Sequence, residues 1–318
     1  MSHGLIKREL IQAEIEITYG TDPTPAATDV VLVRNIAHTA DRLRMARRGA
    51  IRTSLGELQH IYGGSLEAIS FECEVKGSGT AGTAPEIDAL LRACGLKVAT
   101  VASTSNTYSP TSTSLESCTI HYYEAAAGAN TQVRHILTGC RGNVEFVYTT
   151  GDILLARFSM VGTRSTPTDQ TLPTPTYDAT VPQAVKGLST TIGGVANLVI
   201  QGYTLNLNNE IIVPDNLNDT EGYGQIMIAG RDPTLELTRH NELVATIAPW
   251  ADIIAGTARA FVSGTLGSTA GNRIALNAGQ MHYRGIAPSD DSGIRAATYS
   301  FGLHETSTVD TEFTLVFT

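Results

Sequence analysis

From Phe71 to Val75 the chain reads Phe-Glu-Cys-Glu-Val, apolar and acidic side chains in strict alternation. This is the period-two pattern of a strand with one face buried. Ile11 to Thr18 alternates in the same way, and Leu235-Glu236-Leu237 repeats it in shorter form. Leu198 to Leu207 predicts a strand pair broken near Gly202. Further strands are predicted over Thr119 to Tyr123, Val144 to Tyr148 and Ile153 to Val161. The second half offers Arg259 to Leu266, Arg273 to Leu276, Ala297 to Leu303 and Glu312 to Phe317.

Two short helical signals interrupt these strands. Pro85 opens one, with Ile87, Leu90, Leu91 and Cys94 on one face, Glu86 and Asp88 in the first turn, and Gly95 as the stop. Pro249 opens the other, with Trp250, Ile253 and Ile254 on one face, Asp252 early and Gly256 as the stop. Each is too short to stand alone in water, so each is expected to lie against a sheet. Both prolines stand fourteen residues after the start of an alternating run, Phe71 or Leu235, at a common offset of 164 residues. Proline at a helix start is common, so chance is the competing explanation for the match. Thr163 to Thr180 holds three prolines and almost no apolar side chain, the composition of an extended linker.

The fold class expected is mainly β: two tandem antiparallel sandwich or barrel domains, each flanked by one short α-helix. The boundaries are residues 1–162 for the first copy, 163–180 for the linker and 181–318 for the second. The second copy is shorter by about twenty residues, close to the length of the Ser/Thr-rich stretch Val98 to Ser117.

Composition supports this picture. Apolar residues make up 42% of the 318 and charged residues 17%, enough apolar side chains for a packed core. No run approaches a spanning helix, and Met1 to Leu10 carries Lys7, Arg8 and Glu9 without an apolar signal core, so a soluble chain made in a cytoplasm is expected. Cys73, Cys94, Cys118 and Cys140 follow no disulfide spacing. The net charge of −9 falls mostly on the second half: residues 1–162 carry −2 and residues 163–318 carry −7. An acidic chain grips nucleic acid poorly, because cations neutralising phosphates supply most of that affinity. It suits a surface along which DNA slides.

Candidate chemistry is thin. Gly77 to Gly82 precedes a helix as a phosphate cradle would, but the lysine of such a loop is missing, so a strand-to-helix loop is the better reading. Cys118-x2-His121 followed by His135-x4-Cys140 offers zinc-binding atoms, yet Cys118 and His121, three apart in a strand, point to opposite faces. A zinc-dependent hydrolase on a β scaffold is therefore a distant alternative. Asp290-Asp291-Ser292-Gly293 lacks the ligand count of a calcium loop. No nucleophile elbow or His-Glu-x-x-His occurs, so no catalytic, cofactor or metal residues are expected. One dense cluster remains: Arg42, Arg44, Arg47, Arg48 and Arg52, interleaved with Leu43, Met45, Ala46 and Ile51. Guanidinium groups form forked pairs with carboxylates, which suits contact with an acidic neighbour.

The order of motifs in the first half is similar to a known family. The Pro85 helix ends in Ala93-Cys94-Gly95, and a Ser/Thr-rich loop with Tyr108-Ser109-Pro110 follows. Then come the strand Ser117-Cys118-Thr119-Ile120, the turn Gly139-Cys140-Arg141-Gly142 and the closing strand Phe158 to Gly162. In this order they resemble the tail tube proteins of long-tailed bacteriophages, with a non-contractile tail as the expectation and a tube inside a contractile tail or a secretion needle as the alternatives.

The resemblance implies a structural virion protein, not an enzyme. It implies rings of six tube domains stacked into a hollow tail tube, so three two-domain chains, or six single-domain chains, would close a ring. It also implies a tape-measure protein in the lumen, distal tail or baseplate and tail-terminator proteins as partners, transient passage of double-stranded DNA, no membrane, and assembly in the host bacterial cytoplasm. A long loop between early strands would reach the next ring, and the arginine cluster falls there. Its counterpart in the second half, Asn206 to Gly224, carries Glu210, Asp215, Asp219 and Glu221. Complementary inter-ring contact between these loops is the expectation; two solvated faces, or another virion role such as decoration or adhesion, are the alternatives.

Overall fold

The computed structural model describes residues 5–126 and 131–318. Strands make up 49% and helices 5% of the chain, so the protein is mainly β. The first half contains β1 (Leu10–Ile15), β2 (Val30–Val31), β3 (Val33–Asp41), β4 (Met45–Ala46), β5 (Ile61–Tyr62) and β6 (Leu66–Glu74), then α1 (Asp88–Ala93). It continues with β7 (Leu96–Val101), β8 (Ser105–Pro110), β9 (Cys118–Glu124), β10 (Thr131–Thr149), β11 (Leu155–Arg164) and β12 (Thr168–Thr171). The second half contains β13 (Thr191–Ile192), β14 (Ile200–Asn206), β15 (Asn209–Ile212), β16 (Met227–Arg231) and β17 (Thr234–His240), then α2 (Pro249–Ala255). It ends with β18 (Arg259–Leu266), β19 (Ile274–Asp291), β20 (Ile294–His304) and β21 (Thr314–Phe317).

All pairings are antiparallel, and one order of pairing occurs twice. In the first half β1 lies on β9, β9 on β10, β10 on β11, β11 on β6 and β6 on β3. In the second, β13 lies on β18, β18 on β19, β19 on β20, β20 on β17 and β17 on β14. β12 returns to the start of β10, and β21 to the start of β19. The same irregularity recurs too. β10 gains one residue on β9 between Leu137 and Cys140, and β19 gains one on β18 between Ala278 and Met281. Such a bulge bends the strand and strengthens its twist, helping a sheet to curl.

The halves are stitched by two further ladders. Glu145 to Thr149 of β10 pairs with Asn206 to Gly202 of β14, and Tyr108 of β8 pairs with Leu315 of β21. Together these ladders join the two halves into one antiparallel sheet system around a common core. Alternate side chains fill it. Phe71 stands opposite Phe158 with ring centroids 5.7 Å apart, and Phe158 stands opposite Val144. At the corresponding place Leu235 faces Phe301 and Phe301 faces Tyr283, with 4.4 Å between the two rings. Burying each such aromatic contributes about 1.5–3 kcal/mol.

Several sequence expectations change in detail. The first strand stops at Ile15, because Glu16 turns inward. Its carboxylate accepts hydrogen bonds from the backbone N–H of Gly20 and Gly139 and from the hydroxyls of Ser117 and Thr119. Within Leu198 to Leu207 there is one strand, Ile200–Asn206, not two, with a register shift between Ile200 and Gly202. Within the Pro- and Thr-rich segment, Thr168–Thr171 is paired to β10. The stretch Val98 to Ser117 holds the remainder of the β7–β8 hairpin, which has no counterpart between α2 and β18.

The helices behave differently from one another. α1 starts at Asp88 and not at Pro85, which lies in the turn before it, but it buries Leu90, Leu91 and Ala93, flanked by buried Ile87 and Cys94, as the pattern predicts. α2 starts at Pro249 and stops at Gly256, whose φ of +61° suits a residue without Cβ. Its apolar face is turned outward: Trp250 is 67% and Ile254 86% exposed, while Asp252 is buried against the Arg259 guanidinium at 2.6 and 2.9 Å. The cause is the cover. α1 touches β1 and β7 as well as β9 and β10, whereas β13, the counterpart of β1, is only two residues long.

Candidate assembly surface

The arginine cluster lies on an arm between β3 and β6. Its root is the small β4–β5 ladder, Met45 opposite Tyr62 and Ala46 opposite Ile61, and the tip between them has no regular structure. The acidic loop of the second half includes β15 and leads toward β16, its partner in a similar ladder in which Asn209 lies opposite Arg231. Both arms spring from the same place in the pairing order, after β3 and after β14.

The roots of the two arms meet within one chain. Arg44 donates to Asp215 and to the Gly222 carbonyl, and its guanidinium lies 3.8 Å from the Tyr223 ring centroid. The hydrogen bond to Asp215 raises the Arg44 pKa above its usual value. Tyr223 donates its hydroxyl to the Arg42 carbonyl. The Glu221 carboxylate accepts from the Ser65 N–H at 3.0 Å and from the Tyr62 hydroxyl. Arg42 also stands 3.5 Å from Asp41 and from the Val213 carbonyl. The structure thus brings Arg42 and Arg44 together with Asp215 and Glu221. It does not bring Glu210 or Asp219 to an arginine of the cluster; Asp219 caps its own loop by accepting from the Glu221 N–H.

The tip is a different surface. Arg47 pairs with Glu57 at 2.6 Å, and Arg52 donates to the Gly56 and Glu57 carbonyls. Arg48 has no ion-pair partner among the described residues, and Ile51 and Leu55 are fully exposed. Apolar residues held this far from the core are typical of contact sites. α2 adds a second apolar surface, since Leu243 and Val244 just before it are also exposed. Sequence reasoning missed this surface, because periodicity marks an apolar face without saying what covers it.

No catalytic set assembles among the residues singled out. Cys118 and Cys140 are buried opposite each other on β9 and β10, and burial pushes the Cys140 thiol pKa up. His121 is engaged by Asp22 at 3.0 Å, and His135 by Glu124 at 3.0 Å. The cysteine–histidine zinc set therefore does not gather. Among the described residues, His38, Glu67 and His135 do bring metal-ligating atoms within 4.8 Å of one another. However, the Arg164 guanidinium stands 3.5 Å from the same Glu67 carboxylate and would repel a dication. The arrangement is a charge cluster already balanced by its own cations. Burial works to raise the Glu67 pKa, but the His135 imidazole 3.7 Å away and the hydrogen bond with His38 outweigh it and hold it at about 2. The nearby Glu67 carboxylate in turn raises the pKa of His135, helped by its hydrogen bond with Glu124. Asp290 caps the Gly293 N–H, and Asp291 bonds His240 at 2.8 Å, so neither presents a calcium loop. The cleft between Tyr148, Val185, Leu188, Leu198 and Tyr203 is lined by no carboxylate, histidine or cysteine.

The glycine-rich run has a packing role. Gly77 donates its N–H to Asn272, and Gly79 donates to the Gly271 carbonyl of the second half. A Cβ on Gly77 would lie 2.0 Å from the Gly271 oxygen. Glycine is required there because two backbones touch.

A search of curated proteins returns no match to this chain. The family model of the phage tail tube proteins matches residues 8–314, nearly the whole length, spanning both arms and both pairing sets. The chain belongs to the phage tail tube protein family.

Proposed function

We propose that this chain is the building block of the hollow tail tube of a long-tailed, non-contractile phage, and acts by self-assembly rather than by catalysis. The observation that carries the reading is the twice-repeated pairing order within a chain that matches the family over residues 8–314. On this reading residues 1–162 and 181–318 are two tube domains joined by 163–180. Three chains then complete a ring of six domains, in place of six chains with one domain each. Stacked rings would enclose the tape-measure protein, end on distal tail or baseplate and tail-terminator proteins, and later conduct double-stranded DNA. The net charge of −9 suits that passage, because an acidic wall does not hold phosphates.

The arm tip is the proposed contact between rings. Arg47, Arg48 and Arg52, with Ile51 and Leu55, would meet Glu210 and Asp219 of the next ring. Arg42 and Arg44, with Asp215 and Glu221, would set the angle at which the arm leaves the body. Negative-stain microscopy of concentrated protein tests the reading: rings or tubes with a central hole are expected. A chain that stays monomeric at high concentration, with no rings, overturns it.

A further inference from the structure

Lys76 and Glu86 form a buried pair that the assembly reading leaves without a role. Lys76 lies just past β6, and Glu86 follows Pro85 in the turn before α1. Their side chains are 2% and 7% exposed, and Lys76 Nζ stands 3.5 Å from Glu86 Oε2. Lys76 Nζ also donates to the Asp178 carbonyl at 2.9 Å, so the segment between the two halves lies over the pair. Neither Glu86 oxygen accepts a well-formed hydrogen bond from the described residues; the Leu32 N–H and the Lys76 ammonium lie nearby without completing one. Burial raises the Glu86 pKa, and the Lys76 charge offsets that only in part.

An amine and a carboxyl group held in this way are placed for condensation. In water an ammonium and a carboxylate remain separate ions because hydration favours both. Here that hydration is gone, and a buried ion pair with unmet hydrogen bonds carries a desolvation cost that a neutral amide does not. Fixing reacting atoms about 3–3.5 Å apart also supplies the entropy that joining two free molecules would cost. Glu86 Cδ is one bond from the oxygen that Lys76 Nζ already faces.

We propose that Lys76 and Glu86 become joined by an amide between Nζ and Cδ, formed after folding and without any other reactant. One proton passes from the ammonium to the carboxylate, and the freed amine lone pair attacks Cδ to form the Nζ–Cδ bond. One Cδ–O bond then breaks with its electron pair, and that oxygen leaves as water with both protons lost by the nitrogen. The amide keeps one N–H, which can still donate to the Asp178 carbonyl. The new bond closes a covalent ring over Gly77 to Gly82, the run in which Gly77 bonds Asn272 and Gly79 bonds Gly271 of the second half. Glycine has the most backbone freedom to lose, so closing this loop restricts the unfolded chain, as a disulfide does, at the place where the halves meet.

Mass spectrometry of the full-length chain, folded and then denatured, tests this. The expected mass is that of the sequence less one water. Trypsin should no longer cut after Lys76, so residues 53–92 should appear as a single peptide short by one water, with fragmentation placing the link between Lys76 and Glu86. Lys76→Arg, which keeps the charge but lacks the amine, should retain its full mass. Glu86→Gln should lose ammonia in place of water and reach the wild-type product mass. Full sequence mass in a wild-type chain whose melting curve shows it folded would overturn the proposal. So would a lost water that fragmentation places at Asp178 or anywhere else. Ring formation is read separately by microscopy, so neither outcome decides the tube reading.

Discussion

Arg44 and Tyr223 lie 179 residues apart in sequence, yet the guanidinium of one sits 3.8 Å from the ring centroid of the other. The contact joins the two arms at their roots, with Asp215 and the Gly222 carbonyl completing the guanidinium's partners. An arm held only by the two-pair β4–β5 ladder would swing freely, because so short a ribbon is not stable by itself. Replacing Arg44 by Ala should loosen the arm while leaving the body folded. Limited trypsin digestion is the measurement: cleavage after Arg47, Arg48 or Arg52 should accelerate several-fold, with an unchanged melting temperature. Equal cleavage rates would show that the tip's own Arg47–Glu57 pair holds the arm.

The charge cluster around Glu67 gives a pH dependence whose sign follows from the two shifts. Glu67 has a depressed pKa of about 2, so its contribution is complete above its unfolded value near 4.5 and fades as pH falls toward 2. His135 has a raised pKa, so its contribution is complete below 6.5 and fades as pH rises through the raised value. The groups facing one another are His38, Glu67, Glu124, His135 and Arg164. The stability advantage of wild type over Glu67→Gln should therefore peak between about pH 4.5 and 6.5 and vanish near pH 2. Melting curves across that range check it; a constant difference would mean that the glutamate's role is packing.

Gly77 tests the seam between the halves. A Cβ there would come 2.0 Å from the Gly271 oxygen, a contact that only backbone movement relieves. Gly77→Ala should destabilise the chain by about 1–3 kcal/mol, the usual cost of overpacking. Gly151→Ala is the control for strain without contact: its φ is +84° with open space around it, so its cost comes from backbone conformation alone. Urea unfolding of both variants separates the two effects.

What the sequence made legible follows from where each signal arises. Phe71 to Val75 read correctly because its alternation is imposed by the sheet face it occupies. The helix expected from Pro85 starts only at Asp88, but its buried face read correctly because Leu90 and Leu91 are covered by strands of the same chain. The Pro249 helix was placed correctly, but its apolar residues were assigned to the sheet when Trp250 and Ile254 are bare. An amphipathic pattern records that a face is apolar, not which chain covers it. Glu16 continues an alternating run yet is buried, because its partners Ser117 and Gly139 lie about a hundred residues away or more and no local spacing predicts them. The Arg44–Asp215 pair is non-local for the same reason: the basic and acidic loops were legible as charges, and their meeting within one chain was not.

The bare face of α2 makes a prediction of its own. Trp250→Ser with Ile254→Ser removes exposed apolar surface, so it should leave the melting temperature of the dissociated chain unchanged or slightly higher. Apolar area buried on assembly contributes roughly 25 cal/mol per Å², so losing two such side chains should raise the concentration needed for assembly. Sedimentation velocity over a concentration series reads this directly. An unshifted assembly threshold would show that the face stays in solvent in the tube.

The arm tip separates charge from apolar contact. Arg48 is without an ion-pair partner among the described residues, and Ile51 beside it is fully exposed. If charge joins the rings, Arg48→Glu should leave rings intact but shorten tubes, and wild-type elongation should slow as salt rises and screens the contact over about 8–10 Å. Single exposed pairs contribute little, about 0–1 kcal/mol, so Arg47→Glu added to Arg48→Glu should shorten tubes further. If apolar contact dominates, Ile51→Ser with Leu55→Ser should be the stronger block, and sulfate salts should speed elongation by strengthening burial. Tube length distributions from electron micrographs distinguish the two. Normal tubes from both the charge-reversed and the serine variants would leave the arm tip as a solvated loop, and inter-ring contact would then have to come from other surfaces.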